Sequence, residues 1–226
     1  MQTEAHETQS TKGYKGLGME GSVARWYEKT TRKDMHEYVK LARRIDSMLP
    51  AGSSILEIAP GPGFLSIELA RGGRHRVTGL DISHTFVELA KKNAATAAVQ
   101  VDFRYGNASA IPFADNSFDF VVCRAAFKNF SEPVKAIQEM HRVLRPGAQG
   151  VIGDLRRDTP MSEIANYVDS IRTNVFNGLL VKATFQFMLL PRAYTSQQFR
   201  EMLSQAPFAR TWIEEVPVGL EAWFQK

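Results

Sequence analysis

The chain has 226 residues, 44% of them hydrophobic and 23% charged, the make-up of a globular protein with room for one well-buried domain and an appended cap. A net charge of +4 without any lysine- or arginine-rich run argues against nucleic acid as a partner, and no apolar run approaches the roughly 18 residues of a membrane span. A single cysteine, Cys123, leaves no internal disulfide and fits a reducing, cytoplasmic compartment.

Residues 1–12 are polar, lack the basic-then-apolar order of a signal peptide, and are expected to be disordered. Four glycines around Tyr14, Leu17 and Met19 extend this stretch into a flexible arm over residues 1–21. A helix is predicted from Ser22, carrying Trp26 and Tyr27. A second is predicted over 33–49, with Tyr38, Leu41, Ala42 and Ile45 at helical spacing, and Pro50-Ala51-Gly52 ends it. Strands near 54–58, 76–80, 100–104, 118–123 and 149–154 then alternate with helices near 63–71, 84–94 and 132–144. Such alternation builds a mostly parallel sheet covered on both faces. Residues 158–191 break the pattern with an apolar helical insertion, either a lid over a substrate cavity or a contact in a homodimer. Thr195 and Ser196 cap a further helix, and strands near 208–216 and 219–225 complete a set of seven. Residues 22–226 thus form one domain, with 158–191 as its cap.

The chemistry concentrates where the first strand ends, at Ile55-Leu56-Glu57-Ile58-Ala59-Pro60-Gly61-Pro62-Gly63. Glycines let a backbone approach a ligand closely, and the amides at the start of the next helix would face what is bound. A dinucleotide or S-adenosylmethionine fits a strand–glycine loop–helix. The dinucleotide fingerprint Gly-x-Gly-x-x-Gly is met at Gly61 and Gly63 but has Ser66 in third place. Asp81 ends the next apolar segment, where a carboxylate can accept both hydroxyls of a ribose of either cofactor. Glu57 discriminates: it suits a positively charged amino-acid group and would repel a pyrophosphate.

Further along stand Gly106-Asn107-Ala108, then Ile111-Pro112-Phe113 leading to Ser117-Phe118-Asp119, and finally Leu144-Arg145-Pro146-Gly147. Together with the loop, these resemble the class I S-adenosylmethionine-dependent methyltransferases, in the small-molecule branch with a ubiquinone/menaquinone-methyltransferase-like core. The resemblance covers roughly residues 40–155. The chain departs from the family loop, acid-x-Gly-x-Gly-x-Gly, at Ala59 and in the two prolines that stiffen it.

The resemblance implies a Rossmann-like, doubly wound α/β fold. It implies S-adenosyl-L-methionine as cofactor and S-adenosyl-L-homocysteine as product. It places cofactor contacts at Glu57, Ala59, Pro60, Gly61, Gly63, Asp81, Ile82, Asn107, Ala108 and Arg124. The acceptor would be an O, N, S or C atom of a small, partly apolar molecule, with no nucleic acid and no membrane as partner. The alternative is a cofactor-binding protein of this fold with a regulatory or non-methylating role. Tyr27, His84, Arg124 and Asn129 are candidate catalytic residues, and Phe127 either touches substrate or packs inside. No His/Cys set has metal-ligand spacing. His75 and His141 read as structural, as does Asp119 at the start of its strand.

Overall fold

In the computed structural model, which describes residues 13–15, 18–170 and 175–226, the apolar segments pair into one sheet. The strands are β1 (Ser54–Ile58), β2 (Arg76–Asp81), β3 (Asp102–Tyr105), β4 (Phe118–Arg124), β5 (Leu144–Leu155), β6 (Arg210–Val216) and β7 (Gly219–Gln225). Their spatial order is β3-β2-β1-β4-β5-β7-β6. The first five run parallel, and β7 inserts antiparallel between β5 and β6. β1 and β4 are buried on both faces, which explains their near-continuous apolar sequence. The edge strand β6 carries Arg210, Glu214 and Glu215, charges that discourage edge-to-edge pairing.

The helices are α1 (Gly21–Thr31), α2 (Met35–Met48), α3 (Phe64–Ala70), α4 (His84–Thr96), α5 (Pro133–Val143), α6 (Met161–Ser170), α7 (Val175–Thr184) and α8 (Ser196–Leu203). Ile45 of α2 and Leu65 and Leu69 of α3 pack on Ile55, Phe120 and Val122 of the sheet. Ala90 and Ala94 of α4 continue that layer over Phe103. On the opposite face Ile137 and Met140 of α5 and Phe199 of α8 cover Leu56, Ile58 and Val121. Each such side chain removed from water stabilises by roughly 1.5–3 kcal/mol. The order reverses between β1 and β4, so the crevice for a ligand lies outside their carboxyl ends.

Three expected boundaries move for local reasons. The first core helix starts at Phe64 because Gly63 takes φ +80°. α5 stops at Val143, where Leu144 turns extended at ψ 143°, and β5 begins there, with an irregular register against β4. The insertion is α6, α7, a single π-helical turn Phe185–Leu189 and a 3₁₀ turn Leu190–Arg192. Ile164, Val168, Phe185 and Leu190 cluster with Val218 in the β6–β7 turn, separate from the main core. The expectations for residues 1–12 lie outside the described residues. The arm itself is seen at Gly13–Lys15, which runs beside the segment after β4. There Tyr14 bridges Phe130, and the Lys15 amide donates to the Asn129 carbonyl at 2.6 Å.

Candidate functional site

Glu57, 3% exposed, ends β1 beneath the start of α3. The Ser66 hydroxyl donates to its Oε2, and the Ser66 amide bonds the same carboxylate. Glu57 therefore caps the helix from inside. Burial pushes its carboxyl up to about 7, against the pull of Ser66 and of Arg124. Of the amides at this helix start, that of Ser66 is turned to Glu57 and does not face the crevice.

The loop consumes its other donors as well. Pro60 and Pro62 have no N–H. The Gly61 amide donates to Asp81 Oδ2 at 2.9 Å, and the Gly63 amide to the Pro60 carbonyl at 3.0 Å. Ala59, where the family pattern has glycine, holds φ +55°, a conformation costing an L residue roughly 1–2 kcal/mol. Gly61 also has positive φ, with open space beyond it bounded by Phe86 and Tyr27 at 3.9 Å from an added Cβ. A Cβ on Gly63 would lie 2.7 Å from the Phe103 ring and 2.9 Å from Ala90, so packing alone demands glycine there.

Asp81, 5% exposed, closes β2. Its second oxygen accepts the Ser83 amide at 2.9 Å. Burial pushes it up to about 6, with the Ser83 and Gly61 amides opposing. Ser83, not Asp81, caps α4 by accepting the Phe86 amide at 3.1 Å, and the Ile82 amide bonds the Asp81 carboxylate as well. Asn107 forms a turn, its Oδ1 accepting the Ser109 amide at 2.9 Å, and Ala108 packs on the main core. Ile82 and Asn107 flank the arm: an added Cβ on Gly13 would fall within 2.9 Å of both.

Across the crevice, Arg124 ends β4 with its guanidinium 4.5 Å from the centre of the Tyr38 ring. Tyr27 packs edge-on against Phe86 beside Gly61. Phe127 is fully buried against Phe130, Tyr194 and Phe199, so it belongs to the core. Asn129 meets the arm through its carbonyl. His84 is exposed and lies flat on Tyr105, ring centres 3.9 Å apart. Trp26 is 65% exposed. Asp119 accepts the Ser54 amide and pairs with Arg145, a structural tie.

The structure thus sets Glu57, the loop, Asp81, Ile82, Asn107 and Arg124 at or just beyond the carboxyl ends of β1 to β4, with His84 exposed at the start of α4. Three features there escaped the sequence. Ser66, noticed only as a missing glycine, is the partner of Glu57. Glu20 accepts the His84 and Thr85 amides at 3.0 Å each and ties the arm to α4. Lys128 and Asp154 form a buried pair at 2.9 Å between the ends of β4 and β5. The last two join residues far apart in the chain and leave no local pattern. Two buried carboxylates facing one arginine suit a cationic ligand that carries hydroxyls. Among the described residues no group of three His, Cys, Asp or Glu could hold a metal. No described helix is long and apolar enough to cross a membrane.

Residues 56–152 match the family model described as methyltransferase domain. The chain is 38% identical over 102 residues to a ubiquinone/menaquinone biosynthesis C-methyltransferase of Roseobacter denitrificans, covering 44% of this chain and 41% of that protein. It is 29% identical over 163 residues to a demethylmenaquinone methyltransferase of Chlorobaculum parvum, covering 69% and 66%. The match therefore spans less than two thirds of the length of either relative. Among solved structures, a protein of Methanococcus maripaludis described as an S-adenosyl-L-methionine-dependent methyltransferase superposes with a TM-score of 0.74. It is 21% identical, covering 93% of this chain and 95% of that one, and this likeness speaks for the fold.

Proposed function

We propose that the chain, whose residues 56–152 match the family model described as methyltransferase domain, methylates a small, partly apolar molecule from S-adenosylmethionine bound on the β1–β2–β4 rim. The observation that carries this reading is the pair of buried carboxylates, Glu57 and Asp81, beside a loop whose donors are already engaged. A pyrophosphate needs free N–H groups and positive charge, whereas a cationic nucleoside needs acceptors. The residues present fit the second.

Asp81, at the end of β2, would accept from the ribose hydroxyls. Asn107 and Ala108, with Ile82, would border the adenine. Glu57 favours the cationic amino-acid end, and Arg124 stands where it can meet that end's carboxylate. S-adenosylmethionine, when bound, supplies an electrophilic methyl group whose transfer leaves a neutral thioether. The acceptor's electron pair forms the new bond, the pair of the broken C–S bond stays on sulfur, and the acceptor's proton leaves to solvent. The chain's part is alignment and exclusion of water, and alignment can supply roughly 7–11 kcal/mol of the barrier. Helices α6 and α7, with the turns Phe185–Leu189 and Leu190–Arg192, are proposed as the wall over the acceptor. The names of the two relatives point to quinone-type acceptors, which agrees with an apolar wall. The test is methyl transfer from labelled cofactor to reduced 1,4-naphthoquinone. Label in the naphthoquinol and stoichiometric S-adenosylhomocysteine are expected. Binding of the cofactor without transfer to naphthoquinol or any related acceptor would favour a non-methylating role.

A further inference from the structure

Next to the rim, the ion pair between Lys128 and Asp154 has no part in holding the proposed cofactor. Lys128 is 7% exposed and Asp154 8%. Taking two charges out of water costs several kcal/mol per ion, and well-packed apolar replacements are often as stable, so stability alone does not account for the pair. Nor does the pair account for the shape of the turn. Asp154 already fixes it through backbone amides, accepting those of Lys128 at 2.8 Å and Leu155 at 2.7 Å. The ammonium could be absent and that tie would remain.

The ammonium is nevertheless held in one place. It donates to Asp154 Oδ1 at 2.9 Å and to the Ala125 carbonyl at 2.7 Å. Ala125 sits at φ +58° directly after β4, and strain of this kind persists only where the surroundings impose it. An ammonium has three N–H donors, and these two bonds use two of them. The half-buried Tyr14 of the arm pairs with Phe130 nearby. Burial raises the Tyr14 phenol, Lys128 and Arg192 pull it down, and Asp81 and Asp154 push it up. The arm is placed by its contacts: Gly13 lies against Ile82 and Asn107, and Tyr14 bridges Phe130, two residues beyond Lys128.

We propose that Lys128 anchors the acceptor by an oxygen that carries negative charge in its reactive form, the phenolate or enolate oxygen of a hydroxyarene, quinol or enolisable ketone, with Tyr14 closing over it. This rests on the methyltransferase reading and adds the residue that would hold the acceptor's oxygen. An ammonium in contact with the oxygen favours its ionised form. The acceptor would then gain nucleophilic electron density without a dedicated general base, and none is evident on the rim.

The test is equilibrium binding of 1-naphthol and of 1-methoxynaphthalene, which has no acidic proton, to the protein with and without S-adenosylhomocysteine at pH 8. The wild type is expected to prefer 1-naphthol by about tenfold or more, and to hold it partly as naphtholate at a pH about one unit below that needed in solution. Lys128→Met should abolish both effects without changing affinity for S-adenosylhomocysteine. Because that variant leaves Asp154 buried without its cation, the double variant Lys128→Met with Asp154→Asn is measured beside it. Equal binding of the two probes by the wild type, or a preference for naphthol that survives in both variants, would overturn the proposal. Failure of S-adenosylhomocysteine to bind the wild type would count against the underlying function, and the cofactor-free titration would still decide the role of Lys128.

Discussion

Glu57 is a carboxylate folded into the interior with a serine for a partner and a single arginine nearby. Its carboxyl lies near 7 in the folded protein against an ordinary 4.5. A raised carboxyl contributes stability that is fully present below the unfolded value and lost as pH rises through the folded one. Glu57 therefore works against folding above pH 7, on the order of 3 kcal/mol at about 1.36 kcal/mol per pKa unit. Glu57→Gln keeps an acceptor for Ser66 without the buried charge, so at pH 8 it should raise Tm while weakening S-adenosylmethionine binding. The wild type's affinity should climb between pH 5.5 and 8, as Asp81 near 6 and Glu57 near 7 ionise. Calorimetry across that range checks both, and a flat affinity would remove Glu57 and Asp81 from the cation site. Sequence alone gave both carboxylates their place at strand ends. It could not give Glu57 its partner, because a serine in a glycine's position reads only as a mismatch until the helix above it is built.

At the scale of elements, the arm is joined to the core by Glu20, whose carboxylate accepts the His84 and Thr85 amides at the start of α4. In return the Gly21 amide donates to Thr85 Oγ1 at 3.0 Å, and the Ser83 hydroxyl to the Met19 carbonyl at 2.6 Å. Burial pushes the Glu20 carboxyl upward, but its bonds to Thr85, Ser83 and His84 outweigh this and hold it below the usual range. Glu20→Ala should cost about 1 kcal/mol, the scale of a lost helix cap, and should speed amide hydrogen exchange in α1 and at Gly13–Lys15 more than in β1 or β4. Uniform exchange would show that the arm is held elsewhere. Strands β1 and β4 were legible because both of their faces are buried and their residues are almost continuously apolar. The Thr195 cap was legible because its reciprocal partner Gln198 stands three residues on. The clamp was not, since Glu20 and Thr85 are 65 residues apart and nothing in either neighbourhood marks the other.

The whole molecule follows from one topological fact, the reversal of strand order between β1 and β4. It opens a crevice that receives Glu57 and the loop from β1, Asp81 from β2 and Arg124 from β4. The alternation of strand and helix, and the strand-end carboxylates, carried that architecture in the sequence. The insertion was visible as an apolar interruption, yet its π-turn and its seat on the β6–β7 turn depend on contacts with Val218, far along the chain. The central claim is that this rim binds S-adenosylmethionine through Asp81. The most direct measurement is a thermal-shift titration of the wild type and Asp81→Ala with S-adenosylmethionine, S-adenosylhomocysteine and NAD. A ligand at about 100 times its Kd adds about 2.7 kcal/mol, roughly 5–10 °C for a chain of this size. The wild type should show that rise with the two sulfur compounds and none with NAD, while Asp81→Ala stays folded and loses it. A rise with NAD alone, or an undiminished response in Asp81→Ala, would contradict the account.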